Sequence, residues 1–157
     1  MLVLIGAALA AALLGLSLWT SSASERSSGW DTRVASSQVT DFARLTVPAS
    51  AVDVRWGYQN GLQDDLAVLS FRLPQDGVDG FTAGLGVGQW TEGSSPAGPA
   101  LTGFRRAGAP DPTGSLPLRE GTFESLPPAH EAVATTVWLA TGGDGFTQVW
   151  VYAANIP

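Results

Sequence analysis

Apolar and polar positions alternate over residues 52–59, VDVRWGYQ, with Val52, Val54, Trp56 and Tyr58 on one side and Asp53, Arg55, Gly57 and Gln59 on the other. This period of two predicts a half-buried strand. Residues 66–73, LAVLSFRL, predict a second strand with Ala67, Leu69, Phe71 and Leu73 inward and Ser70 and Arg72 outward. Asn60-Gly61 lies between them and is a strong hairpin dipeptide. Pro74 ends the second strand. In 75–85, Val78, Phe81 and Leu85 are spaced for a short helix, with Asp76 expected at its N-cap. Val39, Phe42 and Leu45 predict another short helix over 38–46, which Pro48 stops.

Gly, Pro, Ser and Ala dominate 92–117, which predicts a long loop of low order. A short strand is expected at 121–126. Residues 131–140 and 146–154 are β-branched and aromatic and flank a Gly-rich turn at 141–145, which predicts a closing hairpin. Both sides of its last strand carry large apolar groups, so that strand belongs in the middle of a sheet or is covered on both faces. The expected fold class is α+β: an antiparallel sheet of about five strands with one or two short helices, preceded by an N-terminal transmembrane helix.

That helix is expected from residues 2–19, an apolar run without charge or proline. At about 1.5 Å per residue it is roughly 27 Å long, the thickness of a hydrocarbon core. The expected division is an anchor or signal segment at 1–20, a Ser/Thr-rich tether at 21–40 and a domain at 41–157. Ser21 and Ala23 have the spacing of a signal-peptidase site, so cleavage after Ala23 and secretion is the alternative to a retained anchor. Arg26 and Arg33 follow the run, which taken alone orients the domain inward. Glu25 and Asp31 sit beside those arginines, and an N-terminal apolar segment ordinarily drives export. The expectation is a single-pass membrane protein with its domain outside.

Composition narrows the function. The net charge is -6 and every one of the eight cations is arginine, which provides no basic face for nucleic acid. The absence of cysteine removes disulfides, thiol catalysis and zinc-thiolate sites. Asp64 and Asp65 are neighbours, so their side chains point to opposite faces and do not form a glycosidase pair by themselves. They are best read as part of a polar turn, with a weak Ca²⁺ site from Asp64 and Asn60 as the sharper reading.

Gly84, Gly86 and Gly88 fit a helix exit better than a dinucleotide loop. The acids of 76–80 and of 142–145 fit a helix start and a turn. His130 is the only histidine and no nucleophile elbow accompanies it. Arg105 and Arg106 read as a solvated pair. Trp56, Trp138 and Trp150 are expected in the core, Trp19 at a membrane interface, and Trp30 and Trp90 in unpatterned segments. A hydrolase built on Asp64 or Asp65 with Arg55, Arg72 or His130 is the enzymatic alternative. No catalytic, cofactor or metal residue is assigned.

Residues 47–74, VPASAVDVRWGYQNGLQDDLAVLSFRLP, resemble a segment that recurs in membrane-anchored or lipoprotein-like proteins of unknown function from actinobacteria, Streptomyces especially. The PASA lead, the alternating strand, the QDD and the exit through Leu73-Pro74 carry the likeness. It implies export and transfers no site residue. The chain has no lipobox cysteine, so a proteinaceous anchor is expected. The expected partners are the membrane through 2–19 and a protein or envelope component. The small residues Gly6, Ala7, Ala10, Ala11 and Gly15 would let the anchor pack closely in a membrane complex.

Overall fold

A computed structural model of the chain describes residues 29–61, 64–115, 117–125 and 132–156. The apolar run 2–19, the cleavage site at Ala23, Trp19 and His130 lie outside them. Among the described residues no helix is long and apolar enough to cross a membrane.

The elements in chain order are β1 (Trp30–Asp31), α1 (Ser36–Ala43), β2 (Val52–Gln59), β3 (Leu66–Pro74), α2 (Val78–Gly84), β4 (Trp90–Gly93), α3 (Gly98–Arg106), β5 (Leu118–Ser125), β6 (Val133–Thr141) and β7 (Phe146–Asn155). Single 3-10 turns occupy Gln75–Gly77 and Pro112–Gly114. The fold is α+β, and its sheet has seven strands in the order β1-β2-β3-β7-β6-β5-β4. Every neighbouring pair is antiparallel.

β7 is the central strand, as its two apolar sides imply. Val149 and Val151 face one way and Trp150 the other, and none is more than 1% exposed. The two additional strands, β1 and β4, form the edges and are too short for periodicity to reveal them. Trp30 and Trp90, which no pattern explained, are their first residues.

The first face carries Leu69, Phe71, Leu73, Val137, Leu139, Val149 and Val151, packed with Val39 and Ala43 of α1 and Val78 and Phe81 of α2. Phe71 and Phe81 meet edge to face at 5.5 Å. The second face carries Val68, Trp138 and Trp150, packed with Ala100 and Phe104 of α3. The molecule is therefore three layers, helices on both sides of one antiparallel sheet.

Three expectations about where the elements lie need correction. Residues 92–117 are not a loop: they contain the end of β4, the whole of α3 and a 3-10 turn. Pro99 sits in the first turn of α3, where its missing N–H costs nothing, and Ala100, Gly103 and Phe104 recur at helical spacing. Residues 30–31, expected in the tether, are a strand paired with β2, and the helix expected over 38–46 spans 36–43, so it begins inside the expected tether and puts Val39 in the core. Asp76 is not an N-cap: it lies inside the 3-10 turn, and the cap of α2 is Gly77 with no side-chain hydrogen bond.

Val52 is 41% exposed rather than inward. The β2–β3 register shifts between Val52 and Arg55, and Asp53 takes φ 55° at this bulge. The extra residue turns Val52 away from the face that holds Trp56 and Tyr58. Ser70, expected at the surface, is 1% exposed because the second face is covered as well.

The indole N–H groups tie the layers together. Trp150 Nε1 donates to Pro110 O at 2.8 Å, which fixes the chain leaving α3. Trp56 Nε1 donates to Val34 O at 2.9 Å, which fixes the chain entering α1. An indole N–H taken out of water needs such a partner, so each tryptophan specifies a loop position as well as filling volume.

Candidate functional site

Helix α3 covers only part of the second face. It lies over Trp30, Val68 and Trp138: the Phe104 and Trp138 rings meet edge to face at 6.2 Å, and a Cβ on Gly103 would come within 2.7 Å of both Trp30 and Val68. Toward the β6–β7 turn the face is left open. Strand register there aligns Arg72 with Gln148, Gln148 with Ala140, and Leu118 with Gly93. Since Arg119 pairs with Leu139, Leu118 stands beside Ala140, and the row runs unbroken from β3 to β4.

This row floors a cleft of about 750 Å³, walled by Asp144 and Phe146 on one side and Ser115 and Pro117 on the other, with Thr91, Glu92 and Arg119 at its β4 end. The middle of the floor is low because Ala140 is small.

The polar groups of the cleft are held in place. Arg72 lies over the Phe146 ring, its guanidinium carbon 4.5 Å from the centroid. Its Nη1 donates to Asp53 at 3.4 Å and its Nη2 to Asp144. A guanidinium stacked on a ring and forked between two carboxylates keeps one orientation. Asp144 also accepts from the Phe146 N–H at 3.2 Å, so the turn and the ring are set together. Gln148 Nε2 donates to Ser70 Oγ at 2.8 Å and Phe71 O at 3.1 Å. At the other end Arg119 lies 5.5 Å from the Trp90 ring.

The residues singled out in the sequence have other places. Asp65 closes the β2–β3 hairpin: it accepts from Tyr58 Oη at 2.7 Å and from the Gly61 N–H at 3.2 Å. Burial first, and then this carboxylate, raise the Tyr58 pKa to about 12. Burial also raises Tyr152, with the nearby Asp64 charge adding to it. The pair register closes on Gln59 and Leu66, so the connection is longer than the two-residue turn that Asn60-Gly61 suggests.

Asp65 precedes β3, whereas Arg72 lies near its far end, about 23 Å away along an extended strand. Arg55 stands opposite Ser70, roughly 16 Å from Asp65 on the same count. The structure therefore does not bring Asp65 together with either arginine. Among the described residues no three acidic or histidine side chains gather as a metal site.

Arg105 is bound to Asp111 at 2.9 Å rather than solvated alone. Asp111 is held at a pKa of about 2, first by the Thr113 hydroxyl and backbone N–H and then by Arg105. Gly86 takes φ 69° and Gly145 φ 82°, so the helix exit and the last turn use glycine for its conformational freedom. The cleft itself was not foreseen. Its sequence signal is weak: polar Arg72 and Gln148 inside otherwise apolar strands, which register alone makes neighbours.

No protein-family model, curated protein or solved structure matches the chain.

Proposed function

We propose that the chain is a membrane-tethered extracytoplasmic protein whose three-layer domain is a binding or accessory module of the cell envelope. The observation that carries this is the pre-set cleft across β3, β7, β6, β5 and β4. Its charged groups are engaged with each other and stacked on rings, an arrangement suited to holding a ligand in one orientation. The apolar run at 2–19 supports the tether, and the likeness of 47–74 to exported actinobacterial proteins supports the location.

The test is topology. The full chain carries a C-terminal tag, and intact protoplasts are treated with protease. Loss of the tag is the expected result. A protected tag would place the domain inside and end the envelope reading. A tag found only in the medium would replace the tether with cleavage after Ala23.

A further inference from the structure

We infer that the cleft binds an uncharged saccharide; the inference rests on the envelope-module reading for its setting but not for its chemistry.

Charge is the first argument. The ionised groups on the cleft's own face are Arg72 and Asp144, one of each sign; Arg119 and Glu92 border the cleft but register with Leu139 of the other face. Arg72 is engaged on both sides, by Asp53 and by Asp144. An incoming phosphate or carboxylate would have to displace one of these acids while facing the other. A cation would meet the reverse problem at Arg72.

Shape is the second argument. The cleft is floored by Ala140, a single methyl, and by Leu118, which is 1% exposed, so it has no deep apolar hole for the anchor residue of a peptide. It does hold a half-buried ring, Phe146, one side of which is taken by the Arg72 guanidinium.

Hydrogen-bonding capacity is the third. Planar, fixed groups surround the cleft: the Arg72 guanidinium, the Asp144 carboxylate and the Gln148 amide, with hydroxyl-bearing Thr91 and Ser115 beside them. A sugar presents adjacent hydroxyls that donate and accept at once, matched by carboxylates and guanidinium in bidentate fashion, and a C–H face that packs on an aromatic ring. A neutral polyhydroxylated ligand uses all of these groups without breaking the Arg72 pairs. Sites that hydrogen-bond hydroxyls also discriminate strongly against analogues lacking them.

The experiment titrates the full chain, in a detergent without a sugar head group, with linear uncharged gluco-, manno- and N-acetylglucosamine oligosaccharides by calorimetry. Saturable binding of at least one is expected. Phe146→Ala is expected to weaken it about tenfold or more, the effect of losing a stacking ring. Asp144→Asn should weaken it similarly, while Arg55→Ala, on β2 and outside the cleft, leaves it unchanged. Unfolding curves of each variant show that the loss is not global.

Absence of saturable binding across the panel overturns the inference. So does binding that Phe146→Ala and Asp144→Asn, both folded, leave intact. Competition by inorganic phosphate or acetate would show an anion site and overturn it too. The topology test is independent: sugar binding by a domain that faces inward would keep the inference and end the envelope reading, and the converse pair of results would do the opposite.

Discussion

The two faces of the sheet are built from the same strands and are finished differently. Among the described residues the first face gathers a cluster of seventeen buried side chains, with α1 and α2 lying over it. The second gathers six, under α3 alone. The first is nearly all aliphatic with a few phenyl rings. The second is dominated by Trp138 and Trp150, with Ser70 buried beside them. A face covered along its length can only be core. A face covered over half its length leaves a boundary, and polar side chains of the open half are held there by the packed half. Gln148 illustrates this: it leans on buried Ser70 and on the β3 backbone.

The largest effect separating the faces is expected from the core of the first. Phe71 is fully buried at 0% exposure, in contact with Phe81. Phe71→Ala should cost about 3–5 kcal/mol in denaturant unfolding. A loss below about 1 kcal/mol would mean that the two helices do not seal that face. The second face is tested by overpacking. Gly103→Ala puts a methyl within 2.7 Å of Trp30 and Val68 and should cost about 1–3 kcal/mol. If α3 can lift without loss of sheet structure, the change will appear in near-ultraviolet circular dichroism, with far-ultraviolet strand signal kept.

The hairpin at the far end responds to base. The Tyr58 pKa is raised from its ordinary value near 10 to about 12, so folding favours the neutral phenol. Its contribution to stability is full below about pH 10 and is lost as pH climbs through 12. Tyr58→Phe should remove part of that alkaline decline and cost about 1 kcal/mol at neutral pH, where the bond to Asp65 is lost. Tyr152, also raised, keeps the remainder.

The smallest effect is expected at the exposed turn after α3. Asp111 is depressed from 3.8 to about 2, so it stabilises the fold above pH 4 and loses this as pH falls toward 2. Asp111→Asn should flatten a slight acid slope in melting temperature over that interval. An unchanged slope would show that water screens both the Thr113 bonds and the Arg105 pair.

Much of the first face was legible in the chain. The alternation of 66–73 and of 146–154 placed Leu69, Phe71 and Leu73 together and identified a strand with two buried sides. The pairing of 52–59 with 66–73 and the positive φ of the last turn were also legible, although the connection at Asn60-Gly61 is longer than that dipeptide's two-residue turn. The edges were not legible. β1 has two residues and β4 four, too few for a period, and each leans on a neighbour far along the chain. Helix α3 hid in a Gly- and Pro-rich stretch, because Pro99 and Gly103 count as breakers until their positions in the helix are known.

What this sequence determines alone is what depends on near neighbours: the period of its long strands, its turns, the apolar run of 2–19, and the lack of cysteine or a basic face. These follow from backbone sterics and transfer from water, which act over a few residues. Tertiary structure decided the rest. It set β3 beside β7, aligned Arg72 with Gln148 and Pro74 with Phe146, and laid α3 over half a face. Those choices depend on how several apolar surfaces are buried at once, a property no single segment carries. The cleft exists only as the remainder of that arrangement.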